Sequence, residues 1–200
     1  MKKLASLFAV AMLMGACTAN QNKDAAATTD AASTDAAAAK TTLVAYFSAS
    51  NEHVTAQVAK TLAEAADADL FEIVPEQVYT AADLDWKNEQ SRSTVEMKDS
   101  TARPAVASKV ENMDQYTTIY VGFPIWYYTA PRIVNTFLEQ YDLTGKTIIP
   151  FATSGGSDMG KSGEDLKKAS APDANWILPG KVLNGNPPVD SLKTWIATLK

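Results

Sequence analysis

Cysteine and histidine are nearly absent: the 200 residues hold one of each, Cys17 and His53. A single cysteine has no partner for a disulfide. One histidine without a second thiol argues against a transition-metal site. Long apolar runs are missing as well. The longest, at 4–14, falls short of the roughly 20 residues a membrane-spanning helix needs. Basic residues are outnumbered, 18 Lys and Arg against 23 Asp and Glu, for a net charge of −5. That balance argues against nucleic acid and anionic lipid surfaces as partners.

What is present begins with a leader. Lys2 and Lys3 precede the apolar run, and Gly15 and Ala16 follow it. This is the pattern of a secretory signal peptide over 1–16. Leu13-Met14-Gly15-Ala16-Cys17 resembles a bacterial lipobox. The resemblance implies cleavage before Cys17, lipidation of Cys17, and a membrane-anchored place in the bacterial cell envelope. Several acyl chains together anchor stably where one does not. Losing Lys2 and Lys3 with the leader takes the charge from −5 to −7. Residues 17–41 are rich in Ala, Thr, Asp and Asn without a large apolar side chain, so they read as a disordered tether.

From residue 42 onward strands and helices alternate. Apolar runs predict strands over 42–47, 68–74, 117–122, 147–152 and 176–178. Helical spacing predicts helices over 53–66, 105–113, 131–141 and 189–199, with a weaker one over 163–170. Residues 76–104 hold few apolar side chains and read as a covering loop with a short helix near 83–89. Pro150 conflicts with a central strand, because it cannot donate to the ladder; its neighbours still favour a strand. Five such alternations predict an α/β domain over 42–200, a parallel sheet covered on both sides.

Three loops leave the ends of the first, third and fourth strands. Ser48-Ala49-Ser50-Asn51-Glu52-His53 is rich in hydroxyls and opens a helix, where free N–H groups and the helix dipole favour an anion. Plain N-capping by Ser50 or Asn51 explains the same residues. Phe123-Pro124-Ile125-Trp126-Tyr127-Tyr128 is far too aromatic for a solvated turn. It either covers the core or offers a flat surface at the strand ends, where ligands bind in open α/β sheets. Thr129 can cap the helix that follows, with Pro131 in its first turn. Thr153-Ser154-Gly155-Gly156-Ser157 lets backbone approach a ligand closely.

The stretches VGFPIWYYTAPRIVNTFLE, from Val121, and DLTGKTIIPFATSGGS, from Asp142, resemble the flavodoxin family, in its lipoprotein branch. The likeness runs from Leu43 to the C-terminus. It implies a three-layer sandwich with a five-stranded parallel sheet in the order 2-1-3-4-5, binding FMN at the strand ends. By that likeness Ser48, Ser50, Asn51 and Thr55 hold the phosphate. Pro124, Trp126 and Tyr127 lie against the isoalloxazine, with Trp126 stacked on it, and Thr153, Ser154, Gly155 and Gly156 meet its other edge. An exported protein of this kind would move electrons between a donor and a partner protein or quinone. The first loop departs from the family pattern Ser/Thr-x-Thr-Gly-Asn-Thr. Its glycine is missing, and Asn51 is the residue expected to adopt left-handed geometry instead. Glu52 beside a phosphate dianion costs on the order of 1–3 kcal/mol at intermediate dielectric.

Two other readings stay open on the sequence. Gly155 to Ser162 fits the phosphate-loop pattern G-x-x-x-x-G-K-[ST] after a strand. Asp158 inside that cradle, and the short remainder of the chain without a magnesium-binding strand, weigh against it. A cofactor-free ligand- or glycan-binding module would also use Trp126 and its tyrosines, but gives the hydroxyls of the first loop no role.

Overall fold

Side chains alternate across the plane of β1 (Thr42–Tyr46) and β3 (Thr118–Pro124), and this alternation divides the core in two. Leu43, Ala45, Ile119, Val121 and Phe123 face one cluster; Val44, Tyr46 and Tyr120 face the other. Both faces are buried, as the near-continuous apolar runs require of parallel strands. The computed structural model describes residues 39–199. The leader, Cys17 and the tether up to residue 38 lie outside the described residues.

The sheet is completed by β2 (Asp69–Glu72), β4 (Thr147–Thr153), β5 (Asn175–Trp176) and β6 (Lys181–Val182). Every pairing is parallel, and the order is β2-β1-β3-β4-β5. The expected order is therefore the observed one, with a short sixth strand added. β6 pairs with β4 further along, in the lane that β5 opens.

The break between β5 and β6 accommodates Pro150. Ile148 accepts from the Ile177 N–H at 2.9 Å, and Ala152 accepts from Leu183 N–H at 2.7 Å. Residues two apart point the same way along a strand. Pro150 therefore turns its missing donor to the gap between these two bonds. Gly180 (φ +88°) closes that gap so tightly that a Cβ there would lie 2.2 Å from the Pro150 carbonyl oxygen.

α1 (Val54–Ala66) and α5 (Val189–Ala197) cover one face, joined by Val58, Leu62, Leu192 and Trp195. α3 (Arg132–Leu138) and α4 (Ser162–Ser170) cover the other. Phe137 of α3 is fully buried, so truncating it to alanine costs about 3–5 kcal/mol. These four helices match the expected positions within a few residues. Two expectations fail. No helix forms over 105–113; Ala107 N–H donates to Val74 O and Glu76 N–H to Ala105 O, so this segment pairs with the stretch just after β2 instead. Only a 3-10 turn, Met113–Gln115, follows it. The helix expected near 83–89 lies instead at α2 (Arg92–Lys98), where the Ser91 side chain accepts from Thr94 N–H. Residues 83–89 form turns.

Candidate functional site

The carboxyl ends of β1, β3 and β4 deliver three loops to one edge of the sheet. The first and third are tied directly. The Thr55 and Thr153 hydroxyls share a buried hydrogen bond of 2.7 Å. This fastens the first turn of α1 to the start of the glycine loop.

α1 has no side-chain cap. Its N-cap is His53, not Ser50 or Asn51, and His53 rather than Asn51 carries the left-handed backbone (φ 50°). Histidine, like asparagine, tolerates that geometry better than most residues. The first-turn N–H groups of this 13-residue helix thus meet no side chain of the loop. Ser50, Asn51, Glu52 and His53 are all exposed. Ser48 differs: its Oγ is buried and has no hydrogen-bond partner. A buried hydroxyl without a partner costs about 1–3 kcal/mol, which a ligand acceptor or donor would recover.

The aromatic loop is a strained turn. Trp126 and Thr129 exchange two backbone hydrogen bonds, of 2.9 and 3.0 Å, around Tyr127 (φ 49°) and Tyr128 (φ 67°). Two successive positive φ values define a type I′ turn, which normally takes Asn and Gly. Left-handed geometry costs a tyrosine about 1–2 kcal/mol. Strain of this kind collects at functional sites. Tyr127 is fixed by its hydroxyl, which donates to Trp86 O at 3.0 Å and bonds Thr94 Oγ1 at 2.6 Å. Tyr128 is 80% exposed. Thr129 does not cap α3; it donates to Asp165 Oδ2 at 2.9 Å, and Pro131 takes the N-cap position.

Trp126 stands edge-on to Phe47 and Tyr79, with centroids 5.6 and 5.4 Å away. Beneath it Tyr79 donates to Glu96, and Arg92 bonds Glu96 while lying over the Tyr79 ring. Burial, followed by the Glu96 hydrogen bond and charge, raises the Tyr79 hydroxyl pKa far above its ordinary range.

The glycine loop is pinned by Ser154. Its Oγ accepts from the N–H groups of Gly156 and Ser157, and its own N–H donates to Asn184 Oδ1 at 2.8 Å. A Cβ at Gly155 or Gly156 would meet nothing within 4 Å, so the space over both is open.

Seven of the candidate residues line two adjoining cavities, while Ser48, Asn51, Thr55 and Thr153 line neither. Ser154, Gly155 and Gly156, with Ser157, face Ile125, Tyr127 and Tyr128 across a depression of about 400 Å³. Ser50, Pro124 and Trp126 lie on the other side of the turn, in a cleft of about 530 Å³ that Tyr127 and Tyr128 also line. The cleft is closed by Leu84, Trp86 and Ser93 of the 76–104 excursion, which the loop reading of that segment did not single out. The one available signal was Trp86, a lone tryptophan in a polar segment. Among the described residues no cluster of His, Cys, Asp and Glu could hold a metal, and no helix is long and apolar enough to cross a membrane.

A doubly wound parallel sheet with its loops gathered at the strand ends, beside an uncapped helix, defines a ligand-binding α/β protein of the dinucleotide- and flavin-binding type. The profile of the family described as Flavodoxin matches residues 41–199. The chain belongs to the flavodoxin family. Two solved structures are similar to it over nearly their full length, both of candidate flavoproteins. That of Bacteroides eggerthii is 49% identical, with TM-score 0.74, covering 79% of this chain and 96% of that one. That of Bacteroides uniformis is 51% identical, with TM-score 0.72, covering 78% and 97%. A flavoprotein of Lactobacillus acidophilus, solved in complex with FMN, shares the fold at 23% identity and TM-score 0.57, covering 72% and 93%. No curated protein matches the chain.

Proposed function

We propose that this chain binds FMN non-covalently and passes electrons between a donor and a protein or quinone acceptor, from an exported, lipid-anchored position. The observation that carries the reading is the buried Thr55–Thr153 bond, which in a flavodoxin-family chain joins a helix N-terminus to an open glycine loop. The residues fit the cofactor. Ser48 has an orphaned hydroxyl, α1 has free N–H groups, and two glycines leave room that any side chain would fill.

The phosphate would rest on the α1 N-terminus with Ser48, Ser50, Asn51 and Thr55. Backbone amides and hydroxyls hold it there, because the loop carries no Lys or Arg. The exposed side chain of Glu52 is free to stay in solvent, which limits the repulsion. The ring would lie in the depression between Tyr127 and Tyr128 and the glycine loop, its polar edge toward Thr153, Ser154, Gly155 and Gly156. Pro124 and Trp126 then brace the turn from behind, with Trp126 locked by Phe47 and Tyr79. The larger cleft suits the ring less well, because few of its lining groups can pair with a pyrimidine edge. When bound, FMN supplies the one- and two-electron chemistry, and the protein supplies position and field.

The leader, Cys17 and the tether carry the anchoring part of the proposal: a lipidated Cys17 holds the domain at the bacterial cell envelope. Nothing in the charge balance suits nucleic acid. A visible absorption titration of the purified chain with FMN tests the reading. A flavin spectrum that shifts on binding supports it. A spectrum identical to free FMN overturns it and leaves a binding module on the same fold.

A further inference from the structure

The 530 Å³ cleft between Trp86 and Trp126 has no role once the polar depression is given to the flavin. Its volume is that of a small-molecule site, a range of about 300–1,000 Å³. We propose that this cleft binds the electron acceptor, a planar, uncharged two-ring quinone. The inference rests on the FMN reading above.

Three observations select that ligand. First, the walls are flat and apolar and come from separate parts of the chain: Trp86 and Leu84 from the excursion, Pro124, Ile125 and Trp126 from the end of β3. Trp86 is left 68% exposed there, a large apolar surface of the kind that marks interaction sites. Second, among the described residues no charged side chain lines the cleft. An ionised ligand, such as a nicotinamide dinucleotide with its pyrophosphate, would enter without a counter-charge and lose its hydration. A neutral quinone needs only a hydrogen-bond donor, which Ser93 supplies as a hydroxyl. Third, Ile125, Tyr127 and Tyr128 line both cavities. One strained turn separates them, and Tyr127 bolts that turn to the excursion through Thr94 and Trp86. An acceptor in the cleft is thus one side chain away from a flavin in the depression.

The step balances without a further reactant. FMNH₂ gives up two electrons and two protons and returns to FMN; the quinone takes both pairs and leaves as the hydroquinone. Reduction of FMN beforehand falls to the donor.

The test uses the FMN-loaded full chain, reduced anaerobically and mixed with 2-methyl-1,4-naphthoquinone, with flavin reoxidation followed by absorbance. Leu84→Asp puts a carboxylate in the cleft. Trp86→Ala is the milder companion, safe for folding because the side chain is mostly exposed. Both are expected to raise the quinone concentration for half-maximal rate by about tenfold, the size of a lost hydrophobic or newly unpaired contact. FMN affinity stays unchanged. If either variant instead weakens FMN and leaves the quinone dependence alone, the cleft seats the flavin ring and the proposal falls. Equal quinone dependence in all three proteins overturns it too. A chain that takes up no FMN refutes the underlying reading separately. Quinone quenching of tryptophan fluorescence, in wild type against Leu84→Asp, then still decides whether the cleft is a quinone site.

Discussion

Replacing Tyr128 by glycine should stabilise the protein while impairing the site. Tyr128 occupies the second central position of the type I′ turn at φ 67° and is 80% exposed. Relief of left-handed strain returns about 1–2 kcal/mol. Glycine gives back about 0.5–1 kcal/mol through the freer unfolded chain. Little burial is lost, because so little of the ring is covered. The net is a gain of about 0.5–1 kcal/mol, and a chain of this size shifts Tm by about 2–4 °C per kcal/mol. Differential scanning calorimetry should therefore show a rise of roughly 1–4 °C. The neighbouring Tyr127→Phe should do the opposite. It keeps the ring and the strain but removes the hydroxyl that bonds Thr94 and Trp86, at a cost of about 1–2 kcal/mol. A fall in Tm for Tyr128→Gly, comparable to that for Tyr127→Phe, would refute the claim that the turn is strained. FMN affinity of Tyr128→Gly should drop, since a wall of the depression is gone.

Gly155→Ala and Gly156→Ala face open space and ordinary φ, so stability should hold or rise by up to about 1 kcal/mol, while FMN affinity falls about tenfold as the new methyl takes up ligand space; paired urea and FMN titrations read both. Gly180→Ala should unfold the chain or cost more than about 3 kcal/mol, because its Cβ meets the Pro150 backbone at 2.2 Å and its φ is +88°; circular dichroism and urea midpoints check it. Folded Tyr79 holds its proton more tightly than the unfolded chain does. Its contribution is therefore intact below about pH 10, the ordinary tyrosine value, and is lost as pH climbs above that. Urea midpoints from pH 8 to 11 should fall less steeply in Tyr79→Phe than in wild type.

Which parts of this molecule can be read from sequence follows from what holds each part. β1, β3 and β4 are buried on both faces, so their runs of Val, Ile, Tyr and Phe are forced and visible. α1 and α5 bury a single stripe, which gives Val58, Leu62, Leu192 and Trp195 their helical spacing. The segment 105–113 carries the same spacing, at Val106, Val110 and Met113, yet forms no helix. Its backbone is claimed by Val74 and Glu76 from a distance, and a local pattern cannot record that. β6 is two residues long, too short for any periodicity to show.

The 76–104 excursion carries one wall of the larger cleft and almost no apolar pattern. Polar contacts hold it in place of a hydrophobic stripe. Arg92 bonds Glu96 and the Gln77 carbonyl, Glu96 accepts from Tyr79, and Thr94 bonds Tyr127. Each partner is an ordinary surface residue in the sequence and becomes informative only when the fold brings it beside the aromatic loop. The same network helps to hold Trp126 in place. Tyr79, fixed by Glu96 and covered by Arg92, is one of the two rings that clamp it. The tryptophan that family likeness sets against the flavin is thus packed as one wall of the larger cleft. Loosening that clamp with Glu96→Ala should free Trp126 and soften that wall of the larger cleft. The measurable sign is tryptophan fluorescence anisotropy, which should fall in Glu96→Ala and hold in Glu96→Gln, where the hydrogen bond to Tyr79 survives. Equal anisotropy in all three proteins would mean that Phe47 alone holds the ring.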